Sequence, residues 1–326
     1  MGWEGAAIIR AVITGGCGNI GSRLAAFLVR RGDDVLVLDI HDAPRYPTLE
    51  FERVEVCVGG VDDNEFVSST IARTRPDAIF HLAAILSGGA EEDLDLTWRV
   101  NLEGTRNILN AARATGVDQV VFTSTIATYG TGVEEPINEE TPQWPAGLYG
   151  VTKVAGERLG AYYYLRHGLD FRGVRLAAMV APDPPAGGAA SAFVCDLYAH
   201  AVEFGAYRFD VYPTTRLPVV WVDDVVRALV GLHDADSHTL RHRVYNIAAG
   251  TPSVKAMADA VTKRMPDVRF EFQPDPVRAA IVDSWPSAMD VSAADQDWGW
   301  RPAFGLDEMT DAVLGVLQAR KTLTKE

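Results

Sequence analysis

Tyr149 and Lys153 stand four residues apart in a helix-patterned stretch, which puts both side chains on one face. A tyrosine hydroxyl with its ordinary pKa near ~10 is a poor base at neutral pH. A neighbouring ammonium favours the phenolate, which can then take a proton from a substrate alcohol. The Y-x-x-x-K spacing recurs by chance, so its surroundings matter. Upstream, an apolar strand ends on Ser124-Thr125. Thr125 is expected to orient the substrate oxygen, and Ser124 to serve the turn. Thr125, Tyr149 and Lys153 are therefore the candidate catalytic residues for hydrogen transfer at a secondary hydroxyl.

Such chemistry needs a hydride carrier. Near the start of the chain, Gly15, Gly18 and Gly21 form G-x-x-G-x-x-G, with Asn19 and Ile20 inside the motif. An apolar strand precedes it and an amphipathic helix follows. The glycines permit a tight turn and let a pyrophosphate approach backbone N–H groups at a helix start. Asp39 closes the second strand, 21 residues after Gly18. A carboxylate there accepts hydrogen bonds from the ribose hydroxyls and repels a 2′-phosphate, so the expected cofactor is NAD rather than NADP.

These residues must be carried by alternating strands and helices. Apolar runs at Ala7–Ile13, Val35–Leu38, Val54–Val58, Ala78–Leu82, Val120–Phe122 and Phe171–Leu176 read as buried strands. Leu96–Ala114 and Tyr149–His167 read as long helices. The expected fold class is α/β: a Rossmann-type doubly wound parallel sheet with a smaller mixed α/β C-terminal cap. Residues 1–178 would bind NAD and 215–250 would return in part to that domain. Residues 179–214 and 251–326 would mainly form a substrate-binding cap, with Trp298 and Trp300 packing inside it. Leu217–Val222 reads as a strand feeding the returning helix.

A length of 326 residues and 48% hydrophobic content suffice for one large core and a smaller lobe. The net charge of −14 argues against nucleic acid or an acidic membrane as partner. No apolar run reaches membrane-helix length, and no secretory or myristoylation signal is read at the N-terminus. Cys17, Cys57 and Cys195 are too few and too scattered for a disulfide framework, which fits a cytoplasmic protein. His233, His238 and His242 lack the Glu or paired Cys of a metal motif, so no metal is expected.

Gly15-x-x-Gly18-x-x-Gly21, Asp39, His81-Leu82-Ala83-Ala84, Asn101 in Val-Asn-x-x-Gly-Thr, Ser124-Thr125 before Tyr129-Gly130, and Tyr149-x-x-x-Lys153 together resemble the extended short-chain dehydrogenase/epimerase family. The resemblance implies cofactor contacts from Leu82, Ala83, Ala84, Asn101 and Lys153. It also implies a homodimer paired through the two long helices. Gly60 stands where the family places an adenine-contacting Asp, and Asp62 is the substitute considered. Leu217–Asp224, Tyr245–Ala248, Asp283–Pro286 and Asp297–Trp300 resemble the short-chain type of L-threonine 3-dehydrogenase. That resemblance implies oxidation of threonine to 2-amino-3-oxobutyrate, a small hydroxy acid serving as substrate.

Where those enzymes carry Gly-Gly-Thr-Thr-Asp-Tyr, this chain reads Gly187-Gly188-Ala189-Ala190-Ser191-Ala192. That form, together with Ser87–Glu92, is more like sugar-acid dehydrogenases of the erythronate type. Ser87, Gly188, Ala189 and Trp285 are the expected substrate contacts, with Thr125 and Tyr149. Arg175 is left between two roles, a substrate carboxylate partner or an internal ion pair. A nucleotide-sugar 4-epimerase remains a further alternative.

Overall fold

The computed structural model describes residues 7–45, 48–183 and 191–323. Seven parallel strands form the central sheet: β1 (Arg10–Thr14), β2 (Asp34–Asp39), β3 (Glu55–Val58), β4 (Ala78–His81), β5 (Gln119–Thr125), β6 (Asp170–Leu176) and β10 (Val244–Ile247). Their spatial order is β10-β6-β5-β4-β1-β2-β3. The order reverses between β1 and β4, so the loops leaving these two strands diverge and open a crevice at the carboxyl edge.

Both faces of the sheet are covered, as its near-continuous apolar strands require, except at the edge strand β3, expected buried, where Glu55 and Val58 are exposed and Val56 and Cys57 half-buried. On one face lie α1 (Asn19–Arg31) and α8 (Val222–Asp234), packed through Leu24, Leu28, Val225 and Leu229. On the other lie α2 (Asn64–Thr74), α5 (Gly104–Thr115) and α6 (Leu148–His167), packed through Val67, Ile71, Ile108, Phe122 and Phe171. Burying each such side chain stabilises the fold by roughly 1.5–3 kcal/mol.

The helix expected over 96–114 is two helices in line. α4 (Leu94–Trp98) runs through a π-helical turn at Arg99–Glu103 into α5, after the short α3 (Ser87–Ala90). Periodicity sees one apolar stripe there and misses the extra residue per turn.

A third core holds the second lobe. It contains β7 (Ala178–Val180), α7 (Phe193–Phe204), β8 (Ala206–Phe209), β9 (Val219–Trp221), α9 (Val254–Arg264), β11 (Arg269–Phe272), α10 (Pro276–Asp283) and α12 (Leu306–Leu323). β7 pairs with β9, and β8 with β11, each as a parallel two-stranded sheet. β9 therefore does not join the main sheet; the helix it feeds, α8, lies against it, and β10 adds the seventh strand beside β6. The Trp298–Trp300 pair also departs from expectation. With α11 (Ser292–Trp298) it packs on the main core, Trp298 meeting Tyr245 edge-on at 6.0 Å.

Candidate active site

The glycine turn is held by backbone contacts. Gly15 donates to the Leu38 carbonyl at 2.8 Å and adopts φ +68°, and a Cβ on it would come within 2.8 Å of the Ala83 nitrogen. Gly21 packs under the turn so tightly that a Cβ would lie 2.3 Å from the Gly15 carbonyl oxygen. α1 starts directly behind. Its cap, Gly18, brings no side chain, and no acidic residue occupies the first turn, so the helix N–H groups and dipole face the crevice. Asp39 reaches across: Oδ2 accepts from Cys17 N at 2.9 Å and Oδ1 from His41 N at 3.0 Å. Asp62 leans over Gly60, where its Oδ1 sits 2.5 Å from the place a Cβ would take. The Asp62 carboxylate thus occupies space that a side chain at position 60 would claim.

Gly15, Gly18, Asn19, Ile20, Gly21, Asp39, Asp62, Leu82, Ala83 and Ala84 all line one cleft of about 690 Å³. Asn101, expected with them, does not line it. From the π-helical turn its Oδ1 accepts from Ile85 N at 2.7 Å, while Nδ2 donates to Ile85 O at 3.0 Å and to Thr152 Oγ1 at 3.2 Å. It clamps the loop after β4 to α6. His81 is buried below that loop between Thr14 and Thr105, and burial pushes its pKa down to about 3.

The last residues of β5 meet one face of α6, partner by partner. Thr125 lines the cleft with Tyr149, its Oγ1 accepting from Ala127 N at 3.1 Å. Lys153 donates from Nζ to the Thr123 carbonyl at 2.8 Å, and Ser124 donates from Oγ to Glu157. α6 can lie this close because Gly156 and Gly160 face the rings of Phe122 and Phe171. Its first turn is fixed by Glu91, whose carboxylate accepts from Leu148 N at 2.7 Å.

The expected depression of the Tyr149 pKa is absent. Some of the side chain reaches solvent, yet desolvation of the phenol pushes it up to about 12, opposed by the neighbouring Thr125 hydroxyl. Lys153 is buried with its Nζ 5.9 Å from the Tyr149 ring centre, and desolvation brings it down to about 7, opposed by Glu157.

Arg175 takes the second of its two expected roles. It is buried, donating from Nε and Nη2 to Glu157 at 3.0 and 2.7 Å and from Nη1 to the Tyr129 hydroxyl at 2.7 Å. Tyr129 in turn donates to Asn246 Oδ1 at 2.9 Å. Ser124 likewise faces this network rather than a turn. A buried ion pair of this geometry holds elements together and is not available to a substrate.

A second cavity, about 1130 Å³, opens between the lobes. Ser87, Ala127, Tyr149 and Trp285 line both cavities, so the two meet at the phenol. The Trp285 segment is tied to the loop after β5: Ile137 donates to Ala288 O at 3.0 Å and Asp290 to Ile137 O at 2.8 Å. Gly188 and Ala189 lie outside the described residues. The far wall, from β8, β11 and α10, brings Arg208, Asp210, Gln273 and Arg278, none of them found by sequence reasoning. Arg278 pairs with Asp210 at 2.7 Å. The only local signal was the polar–apolar alternation around Phe209, whose ring stacks on Phe272 at 5.0 Å.

Comparison with known proteins agrees with this geometry. The model of the NAD dependent epimerase/dehydratase family matches residues 11–248. Mitochondrial L-threonine 3-dehydrogenase from Bos taurus is 34% identical over 308 residues, covering 94% of this chain and 82% of that protein. The L-threonine dehydrogenase structure from Clostridium difficile superposes with a TM-score of 0.90 at 30% identity, covering 97% of this chain and 99% of that one. A monomeric L-threonine 3-dehydrogenase from a metagenome gives 0.83 at 30% identity, covering 95% and 99%.

Proposed function

The chain belongs to the NAD dependent epimerase/dehydratase family, and on that premise we propose that it is an NAD-dependent dehydrogenase oxidising L-threonine to 2-amino-3-oxobutyrate. The observation that carries this reading is the meeting of the dinucleotide cleft and the second cavity at Tyr149, beside Thr125. The threonine dehydrogenases of Bos taurus and Clostridium difficile support the substrate.

The cleft fits a dinucleotide on its own chemistry. Gly15, Gly18, Asn19, Ile20 and Gly21 present backbone and an open helix start for a pyrophosphate, and Asp39 presents a carboxylate for ribose hydroxyls. Asp62 would meet the adenine end, Leu82, Ala83 and Ala84 would wall the middle, and Lys153 would hold the second ribose. When bound, NAD supplies the acceptor for the hydride leaving the substrate carbon. Thr125 orients the substrate oxygen and Tyr149 takes its proton. A phenol near 12 needs positive charge nearby to do so at neutral pH, which is the task assigned to Lys153. Ser87 and Trp285 would flank the substrate.

One feature favours a second reading, a sugar acid of the erythronate type. The far wall carries Arg208, Asp210 and Gln273, polar partners suited to a longer hydroxylated chain. The deciding experiment follows NADH absorbance with threonine, its stereoisomers, erythronate and uronates. Turnover of L-threonine is expected; turnover confined to sugar acids replaces the first reading with the second. Tyr149→Phe should lower kcat by about 100-fold or more while NAD still binds; retained turnover rules out Tyr149 as the base.

The protein is further read as a cytoplasmic homodimer. Three free cysteines support the compartment, whereas the bovine relative is mitochondrial by name. Among the described residues no helix is long and apolar enough to cross a membrane. Trp98 on α4 and Val151, Tyr162 and Leu165 on α6 stay exposed on adjacent helices, which supports pairing through that face. Light scattering on the eluted protein would report the mass; a monomer overturns the dimer.

A further inference from the structure

We propose that Glu157, clamped by Arg175, is a positioning residue that keeps Lys153 cationic next to Tyr149. The inference rests on Tyr149 acting as the base and adds the origin of the charge that base requires.

Three observations converge on it. Tyr149, Lys153 and Glu157 recur every fourth residue of α6 and share one face. Lys153 is buried, its Nζ 4.6 Å from the centre of the Phe122 ring, with the Thr123 carbonyl as its hydrogen-bond acceptor. A carbonyl and a ring face offset little of the cost of burying an ammonium. Glu157 is the anion on its helix face. That carboxylate is itself buried and accepts from four donors: Arg175 through Nε and Nη2, Ser124 through Oγ, and Gln143 through Nε2 at 3.1 Å.

Among the described residues Glu157 is the one carboxylate that bears on Lys153. The titratable groups facing Lys153 are Tyr149 and Glu157 on its own helix and His81 on β4, which burial keeps neutral. Arg175 on β6 donates to Glu157 and to the Tyr129 hydroxyl.

The chain contains five lysines, so the titration of Lys153 can be followed directly. Lysine-labelled full-length protein would be titrated by NMR at the side-chain Cε, the Lys153 signal being assigned by its loss in Lys153→Met. The wild-type midpoint is expected near the value of about 7 set by burial against Glu157. Glu157→Gln should lower it by about one unit, a tenfold shift in the protonation equilibrium. Glu157→Asp should stay within about half a unit. The double variant Glu157→Gln/Arg175→Gln leaves no lone buried charge, so it is read if the single variant fails to fold. There the midpoint should still lie below wild type, whereas a purely structural pair predicts return to it.

An unchanged midpoint in Glu157→Gln, or full return in the double variant, overturns the proposal. In parallel, kcat/KM at neutral pH should fall about tenfold in Glu157→Gln and recover in Glu157→Asp. The NMR readout needs no turnover, so a wrong substrate and a wrong role for Glu157 fail separately.

Discussion

The two cavities that share Tyr149 are built on opposite plans. The dinucleotide cleft is made largely of backbone: a glycine turn, a helix start and the loop after β4, with Asp39 locked by two backbone N–H groups. The far wall of the second cavity is made of side chains at the ends of β8 and β11 and on α10, brought together over long sequence separations. Backbone geometry tolerates few substitutions, because no side chain can be traded for another to restore it. A wall of side chains can be exchanged one residue at a time. The difference teaches that cofactor binding is built into the backbone at the sheet's edge, while cofactor choice at Asp39 and substrate choice at the far wall hang on replaceable side chains.

The comparison can be broken most severely at Gly21. Alanine there would press on the Gly15 carbonyl from 2.3 Å, and NAD affinity should fall by about 100-fold or more in a fluorescence titration. Affinity within a few-fold of wild type would mean that the cleft is as adaptable as the cavity. On the other side, Trp285→Ala should raise the substrate KM about tenfold and leave NAD affinity unchanged; an equal loss of both would join the two sites. Asp39→Ser sharpens the contrast within the cleft. It removes the charge that repels a 2′-phosphate, so the NADP-to-NAD preference should rise by roughly fivefold, measured as the ratio of the two kcat/KM values.

The smallest effect at neutral pH belongs to His81. Its folded-state pKa of about 3 lies below the ordinary 6.5, so the folded protein prefers the neutral ring. Stability is then lost as pH falls from about 6.5 toward 3, where the unfolded chain binds the proton first. His81→Gln should flatten that acid slope in thermal unfolding; a slope identical to wild type removes His81 from the support of the cleft.

The same contrast explains what could be read in the residues alone. Gly15, Gly21, Asp39, Thr125 and Tyr149 each sit at the end of a strand or the start of a helix. Local pattern places such positions, and all of them line the expected cleft. Asn101, which the resemblance places among the cofactor contacts, lies in a π-helical turn and bonds the Ile85 backbone, and an extra residue per turn leaves no mark in an apolar stripe. A cation four residues away predicts a more acidic Tyr149; burial instead pushes the phenol up. Arg208 and Gln273 were invisible. Their meeting depends on the register of β8 with β11, which no short-range spacing encodes.

That register has a consequence for how the polypeptide comes into being. β8 leaves the ribosome long before β11, with β9, α8, β10 and α9 synthesised in between. β10, the final strand of the main sheet, is likewise translated after half of the second lobe. Neither lobe is a contiguous cassette. Grafting one onto another dehydrogenase would require at least two splice points, and an amino-terminal fragment ending at β6 would leave that strand's outer edge bare and prone to aggregation.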